Sequence, residues 1–149
     1  MSGNDIHSEK DILMFIGSKF EAFKDIINKL CKTENIEFYG SEYSIPLYEE
    51  YKTTFSSGYT YTGYKKVYGG GRTDIMYGND ECIAPVELKY KASYTSYEQL
   101  KRYINLLKTQ GEDRKITGIL VCYETTYTLR EEEIDDDIYV IELSTGKVY

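Results

Sequence analysis

The residues able to do chemistry are concentrated in two segments, Gly71-Arg72-Thr73-Asp74-Ile75-Met76-Tyr77 and Pro85-Val86-Glu87-Leu88-Lys89-Tyr90-Lys91. Strand side chains alternate between faces, so Glu87 and Lys89 point one way and Val86, Leu88 and Tyr90 the other. A hairpin closing around Asn79-Asp80 sets Asp74 opposite Pro85, on the face of Glu87 and Lys89, and leaves Ile75 with Val86 and Leu88. Two acids and a lysine then converge while the opposite face stays apolar. Neighbouring carboxylates resist ionising together unless a cation joins them. Mg²⁺ or Mn²⁺ suits Asp74 and Glu87, because both ions take oxygen ligands; the Leu88 carbonyl is a further ligand. Such an ion acidifies a bound water and neutralises charge on a phosphoryl group. Lys89 beside it can hold or deprotonate that water, or bind the phosphate. The chemistry implied is attack of water on a phosphodiester. The same residues also fit a surface hairpin whose charges are merely solvated.

The rest of the composition narrows the alternatives. The single histidine, His7, lies near the N-terminus, which removes Ser-His-Asp chemistry and His-rich metal sites. Cys31, Cys82 and Cys122 are odd in number and widely spaced, which argues for a reducing compartment and against a zinc or iron–sulfur centre. No apolar run approaches the ~18 residues of a membrane span, and no signal-peptide stretch opens the chain. The expectation is an intracellular, cytoplasmic protein without a membrane partner. A chain this short suits a virus or mobile element, so the cytoplasm of an infected host is one setting.

The net charge of −7 looks wrong for a nucleic-acid partner, yet it is unevenly spread. Residues 52–115 hold 11 basic and 7 acidic side chains, whereas both flanks are acidic. The middle third is therefore the part that can face phosphate. The run Glu131 to Asp137 reads as a solvated loop. Most of the 17 tyrosines fall between Tyr39 and Tyr97. They either stack on bases or reflect the taste of β-strands for tyrosine.

A chain of 149 residues is one domain. Apolar residues recur every three or four positions from Ser8 to Leu30, predicting one long helix bent at Gly17. Glu42–Tyr51 alternates like a strand. Thr53–Gly71 reads as a flexible hairpin whose Gly69-Gly70-Gly71 makes a tight loop; the Lys and Ser/Thr of a phosphate-binding loop are missing. Strands follow over 73–77 and 85–91. Ser96 and Gln99 make a capping box for a helix over 96–108. Ile116–Tyr123 is a central strand and Ile138–Leu143 another. The order predicts an α/β fold, a mixed central sheet flanked by helices.

Asp74…Glu87-Leu88-Lys89 after Gly-Arg-Thr, behind a first helix and ahead of Gln99-Leu-Lys-Arg-Tyr103, resembles the PD-(D/E)XK nuclease superfamily. That group includes Holliday-junction resolvases, restriction-type endonucleases and recombination exonucleases. The resemblance implies a restriction-endonuclease-like core and a Mg²⁺-dependent deoxyribonuclease. It implies that Asp74 and Glu87 bind metal, that Lys89 is catalytic, and that Gln99 and Tyr103 match a Gln-x-x-x-Tyr motif. Thr73 stands where the naming proline would be.

Many members carry an acid on the first helix. Glu9 borders the inward face, and Glu21 has the family-like spacing Gly-x-x-x-Glu but lies opposite the apolar stripe, so Glu9 is preferred. Arg72, Lys91, Lys101, Arg102 and Tyr103 are the candidate contacts to DNA, whether single-stranded, duplex or branched. Lys101 and Arg102 fit solvated helix charges equally, Tyr103 core packing, and Gln99 the capping box alone. A homodimer is compatible with cutting two strands. The other reading is a non-catalytic nucleic-acid-binding or assembly module on the same fold.

Overall fold

The computed structural model describes residues 6–126, 129 and 134–149, without the side chains of residues 68 and 69. Helix α1 (Glu9–Ser18) starts at Ser8, whose hydroxyl accepts the Asp11 amide at 3.2 Å. The predicted long helix is instead two. The backbone leaves helical geometry at Lys19, two residues past Gly17, and α2 (Phe20–Cys31) begins anew. The buried positions nevertheless keep a three-to-four-residue spacing across the break. Ile12 and Ile16 are buried on α1, and Phe23, Ile27 and Cys31 on α2, while Leu13 and Phe20 stay exposed.

Among the described residues seven strands make one mixed sheet in the order β1-β2-β3-β5-β6-β7, with β4 beside β3. They are β1 (Glu37–Thr54), β2 (Thr60–Gly78), β3 (Cys82–Ala92), β4 (Lys115–Ile116), β5 (Gly118–Thr125), β6 (Ile138–Glu142) and β7 (Lys147–Val148). The first three are antiparallel; β3, β5 and β6 run parallel. Helix α3 (Tyr94–Thr109) is the crossover from β3 to β5 that a parallel pair requires. It starts at Ser93, whose amide bonds the Ser96 hydroxyl at 3.2 Å. Ser96 is thus the third residue of the helix rather than its cap, which frees Gln99 for another partner.

The segment predicted as a flexible hairpin is regular. β1 and β2 pair from Glu37↔Gly78 out to Thr54↔Thr60, with a bulge between Ile45 and Leu47. The glycines there serve close approach rather than a tight loop. A Cβ on Gly70 would lie 2.6 Å from the Ile45 carbonyl oxygen, and one on Gly71 would enter the Tyr103 ring.

Both faces of the sheet are covered. Val86, Leu88, Ile119 and Val121 pack under α1 and α2, and Met76, Leu120 and Val140 pack under α3. β5, whose residues 118–122 are apolar and which is central as expected, contributes to both layers. The described residues include no helix long and apolar enough to cross a membrane.

Candidate functional site

The turn joining β2 to β3 sets the site's register. The Asn79 side-chain oxygen accepts the amides of Glu81 and Cys82, each at 2.9 Å. Its amide group donates to Thr33 Oγ1 and to the Glu34 carbonyl. The strands therefore pair Ile75 with Val86 and Met76 with Pro85, two residues from the expected Asp74–Pro85 match. A two-residue shift preserves every face, since side chains alternate with period two. It also brings Asp74 level with Glu87.

The ladder between β2 and β3 stops at Ile75–Val86, and carboxylates take over. The Asp74 amide donates to Glu87 Oε1 at 3.2 Å, and the Leu88 amide donates to Asp74 Oδ2 at 2.8 Å. Since Leu88 turns its N–H toward β2, its carbonyl faces the same way. Asp74 and Leu88 line a cavity of about 280 Å³ with Glu9, Lys10 and Leu13 of α1 and Ser41 and Glu42 of β1. The Lys89 ammonium lies 3.6 Å from Glu9 Oε1. The structure thus gathers Asp74, Leu88 and Glu9 around one space, with Lys89 held at its α1 side and Glu87 bonded behind Asp74. Glu21 is not among the residues lining it.

Glu87 is not on an open face, as the apolar-versus-polar alternation implied. It is 4% exposed, because α3 covers that side and Leu120 pairs beside it. Burial, and then the adjacent Asp74 charge, push its carboxyl from 4.5 up to about 8. Lys89 and the Asp74 amide oppose that rise. No three His, Cys, Asp or Glu side chains among the described residues converge as a ready-made metal cage. The donors on offer are two carboxylates and a carbonyl.

Glu42 was missed by sequence reasoning. Its backbone is left-handed, with φ of 48°, within β1. The strained residue lines the cavity, and nothing in the residue types announces it. The Thr73 hydroxyl, next to Asp74, is fully buried and has no hydrogen-bond partner among the described residues.

The remaining candidates fall elsewhere. Gln99 donates its side-chain amide to Tyr103 Oη at 2.8 Å, so the two motif residues hold each other. Tyr103 is 5% exposed and packs against Gly71, in the core position that its place on the apolar stripe also allowed. Lys101 pairs with Asp135 at 3.2 Å, Lys91 with Glu124 at 3.5 Å, and Lys108 with Asp137 at 3.8 Å. Part of the acidic run is thereby tied to α3, while residues 131–133 lie outside the described residues. Arg102 donates to the Gly70 carbonyl at 3.1 Å, and Arg72 is exposed two residues before Asp74. All three cysteines are buried and unpaired.

No protein-family model matches the chain. No curated protein matches it either. Among solved structures the chain is similar to the EndoMS–dsDNA2 complex, with a TM-score of 0.49 and 21% sequence identity. The alignment covers 96% of this chain and 46% of that one, so this chain spans about half the length of its neighbour. The likeness is one of overall arrangement alone.

Proposed function

We propose that the chain is a divalent-metal-dependent nuclease of the PD-(D/E)XK type acting on DNA. The observation that carries this reading is the strand end where Asp74 and Glu87 replace the β2–β3 ladder beside Lys89 and Glu9. Two carboxylates held together, one of them buried and resisting ionisation, fit a hard divalent cation that would relieve their repulsion. Asp74, Glu87 and the Leu88 carbonyl would hold it, and Glu9 lines the same cavity. When bound, such an ion supplies an acidified water and charge neutralisation at a phosphoryl oxygen.

The chain's own residues do the rest. Glu9 holds the Lys89 head at the cavity, where it can donate to a phosphate oxygen or to the attacking water. The Leu88 amide orients the Asp74 carboxylate through a 2.8 Å hydrogen bond. Gln99 donates to the Tyr103 hydroxyl and so steadies a ring in the layer packed under α3. Arg72, exposed two residues before Asp74, would meet the phosphate backbone.

The test is cleavage of labelled single-stranded, duplex and branched DNA with Mg²⁺ or Mn²⁺. Loss of at least ~10²-fold in rate is expected for Asp74→Asn and Lys89→Ala, the scale of removing one pre-organised electrostatic or acid–base group. Wild-type rates in Asp74→Asn would overturn the proposal.

A further inference from the structure

The carboxylate centre leaves the exposed tyrosines of β1 and β2 unexplained. Beyond Ile45 and Gly71, β1 and β2 continue as a two-stranded arm, almost all of it exposed. Cross-strand partners share a face. On one face Tyr48 lies opposite Lys66, Glu50 opposite Tyr64 and Lys52 opposite Thr62. On the other, Lys65 faces Glu49, and Tyr51 covers Gly63. The first face carries the more open rings, Tyr64 at 70% and Tyr48 at 49% exposure. Those two rings and Leu47 line a cavity of about 580 Å³ with Thr109, Gln110 and Gly111 at the end of α3.

From this geometry we infer that the arm is a binding site for unpaired DNA, with bases stacked on Tyr48 and Tyr64 and phosphates held by Lys52 and Lys66. Charge favours this occupant. Residues 60–73 contain Lys65, Lys66 and Arg72 and no acid, and with Lys52 they outnumber Glu49 and Glu50 of the facing strand, in a chain of net charge −7. None of these cations, nor Lys52, takes an ion pair among the described residues. Chemistry favours an unpaired strand over a duplex, because tyrosine rings can stack only on bases that are not already enclosed in a helix. The cavity volume falls within the range of small-molecule sites, enough for a base. β2 then runs on through Arg72 to Asp74, about 26 Å from Lys66 at ~3.3 Å per residue. The inference rests on the nuclease reading for its purpose but not for its test.

The experiment is fluorescence anisotropy with a labelled oligothymidylate of about 15 nucleotides, a length spanning the usual site sizes of strand-binding folds. The full chain is used in EDTA so that no cleavage occurs. The double substitution Tyr48→Ala/Tyr64→Ala is expected to weaken binding at least ~10-fold, while Tyr64→Trp keeps it. Lys52→Ala/Lys66→Ala should flatten the log–log salt dependence by about 1.4, roughly 0.7 per phosphate contact. All four side chains are exposed, and unchanged circular dichroism confirms folding. Unchanged affinity in the tyrosine double variant, or an equal loss on blunt duplex of the same length, would overturn the inference. Tyrosine-dependent binding without cleavage on any substrate removes the nuclease reading and keeps the arm; Asp74-dependent cleavage with tyrosine-independent binding does the reverse.

Discussion

Asp74 and Glu87 are each bonded to the other's strand. The Asp74 amide donates to Glu87 Oε1, and the Asp74 carboxylate receives the amide of Leu88, one residue past Glu87. The two side chains thus serve as the last rungs of the β2–β3 ladder. Holding them there has an electrostatic cost that falls on Glu87, the more enclosed of the pair.

That cost gives a pH dependence of definite sign. Glu87 binds its proton more tightly folded, at about 8, than unfolded, near 4.5. Its contribution is fully present below 4.5 and is lost as pH rises toward about 8, on the order of a few kcal/mol. Glu87→Gln should therefore be more stable than wild type at pH 8 without metal, and should not cleave. Added Mg²⁺ should raise the melting midpoint of wild type at pH 8 and leave that of Glu87→Gln little changed. Thermal melts at pH 5 and pH 8, with and without Mg²⁺, check both. A Glu87→Gln protein less stable than wild type at pH 8 would contradict the burial argument.

Gly71 is required by Tyr103. A Cβ there would lie 2.6 Å from Tyr103 Cδ1, and an aromatic ring pinned at its hydroxyl by Gln99 has little room to yield. Gly71→Ala is expected to cost about 1–3 kcal/mol, the range for overpacking. The melting midpoint should fall by roughly 2–4 °C per kcal/mol. In a Tyr103→Ala background the same substitution should cost almost nothing, because its clash partner is gone. Strictly additive effects in that double-mutant cycle would show that the contact is not the cause.

What was legible in the sequence was local. Alternation over 73–77 and 85–91 assigned Ile75, Val86 and Leu88 to the apolar layer, and they lie in one core. Register was not legible, because Asn79 fixes it through Thr33 and Glu34, more than forty residues away. The arm reads as a strand over 42–51 and a flexible hairpin over 53–71; its regular pairing was not legible because strands exposed on both faces show no hydrophobic period to read. The break at Lys19 was hidden because the apolar spacing runs on across it. The burial of Glu87 depends on how α3 crosses the sheet, which no local pattern encodes. Of the candidate site residues, the adjacency of Asp74 and Glu87 followed from strand pairing, whereas Glu42 needed a left-handed backbone that its type disfavours.

Glu142, at the end of β6, supplies a second pH effect of opposite sign. It is 6% exposed. Burial alone would raise its carboxyl, yet the hydroxyls of Thr145, Thr125 and Tyr149 and the Thr125 amide all donate to it. Together they hold it below the usual carboxylate range. Its contribution is present above about 4.5 and is lost as pH falls. Glu142→Gln places an amide donor among those donors and is expected to cost about 1–3 kcal/mol at pH 7. Urea midpoints for the two proteins should converge as pH drops below the carboxylate range. A difference that persists at low pH would assign the loss to packing instead.

Thr73 offers a substitution that should stabilise. Its side chain is 0% exposed, and its hydroxyl has no partner among the described residues. A buried hydroxyl left unpaired forfeits its hydration without compensation, worth about 1–3 kcal/mol. Valine has nearly the same shape, keeps the β-branch that suits a strand, and removes the polar atom. Thr73→Val is therefore expected to stabilise by about 1 kcal/mol or more, read as a higher urea midpoint at unchanged m-value. The Asp74 carboxylate and its Leu88 bond involve other atoms, so cleavage rates should stay within about twofold of wild type by the same bond accounting. A destabilised Thr73→Val protein would mean that the hydroxyl is satisfied in solution. A stable but inactive one would mean that the position beside Asp74 takes part in the reaction.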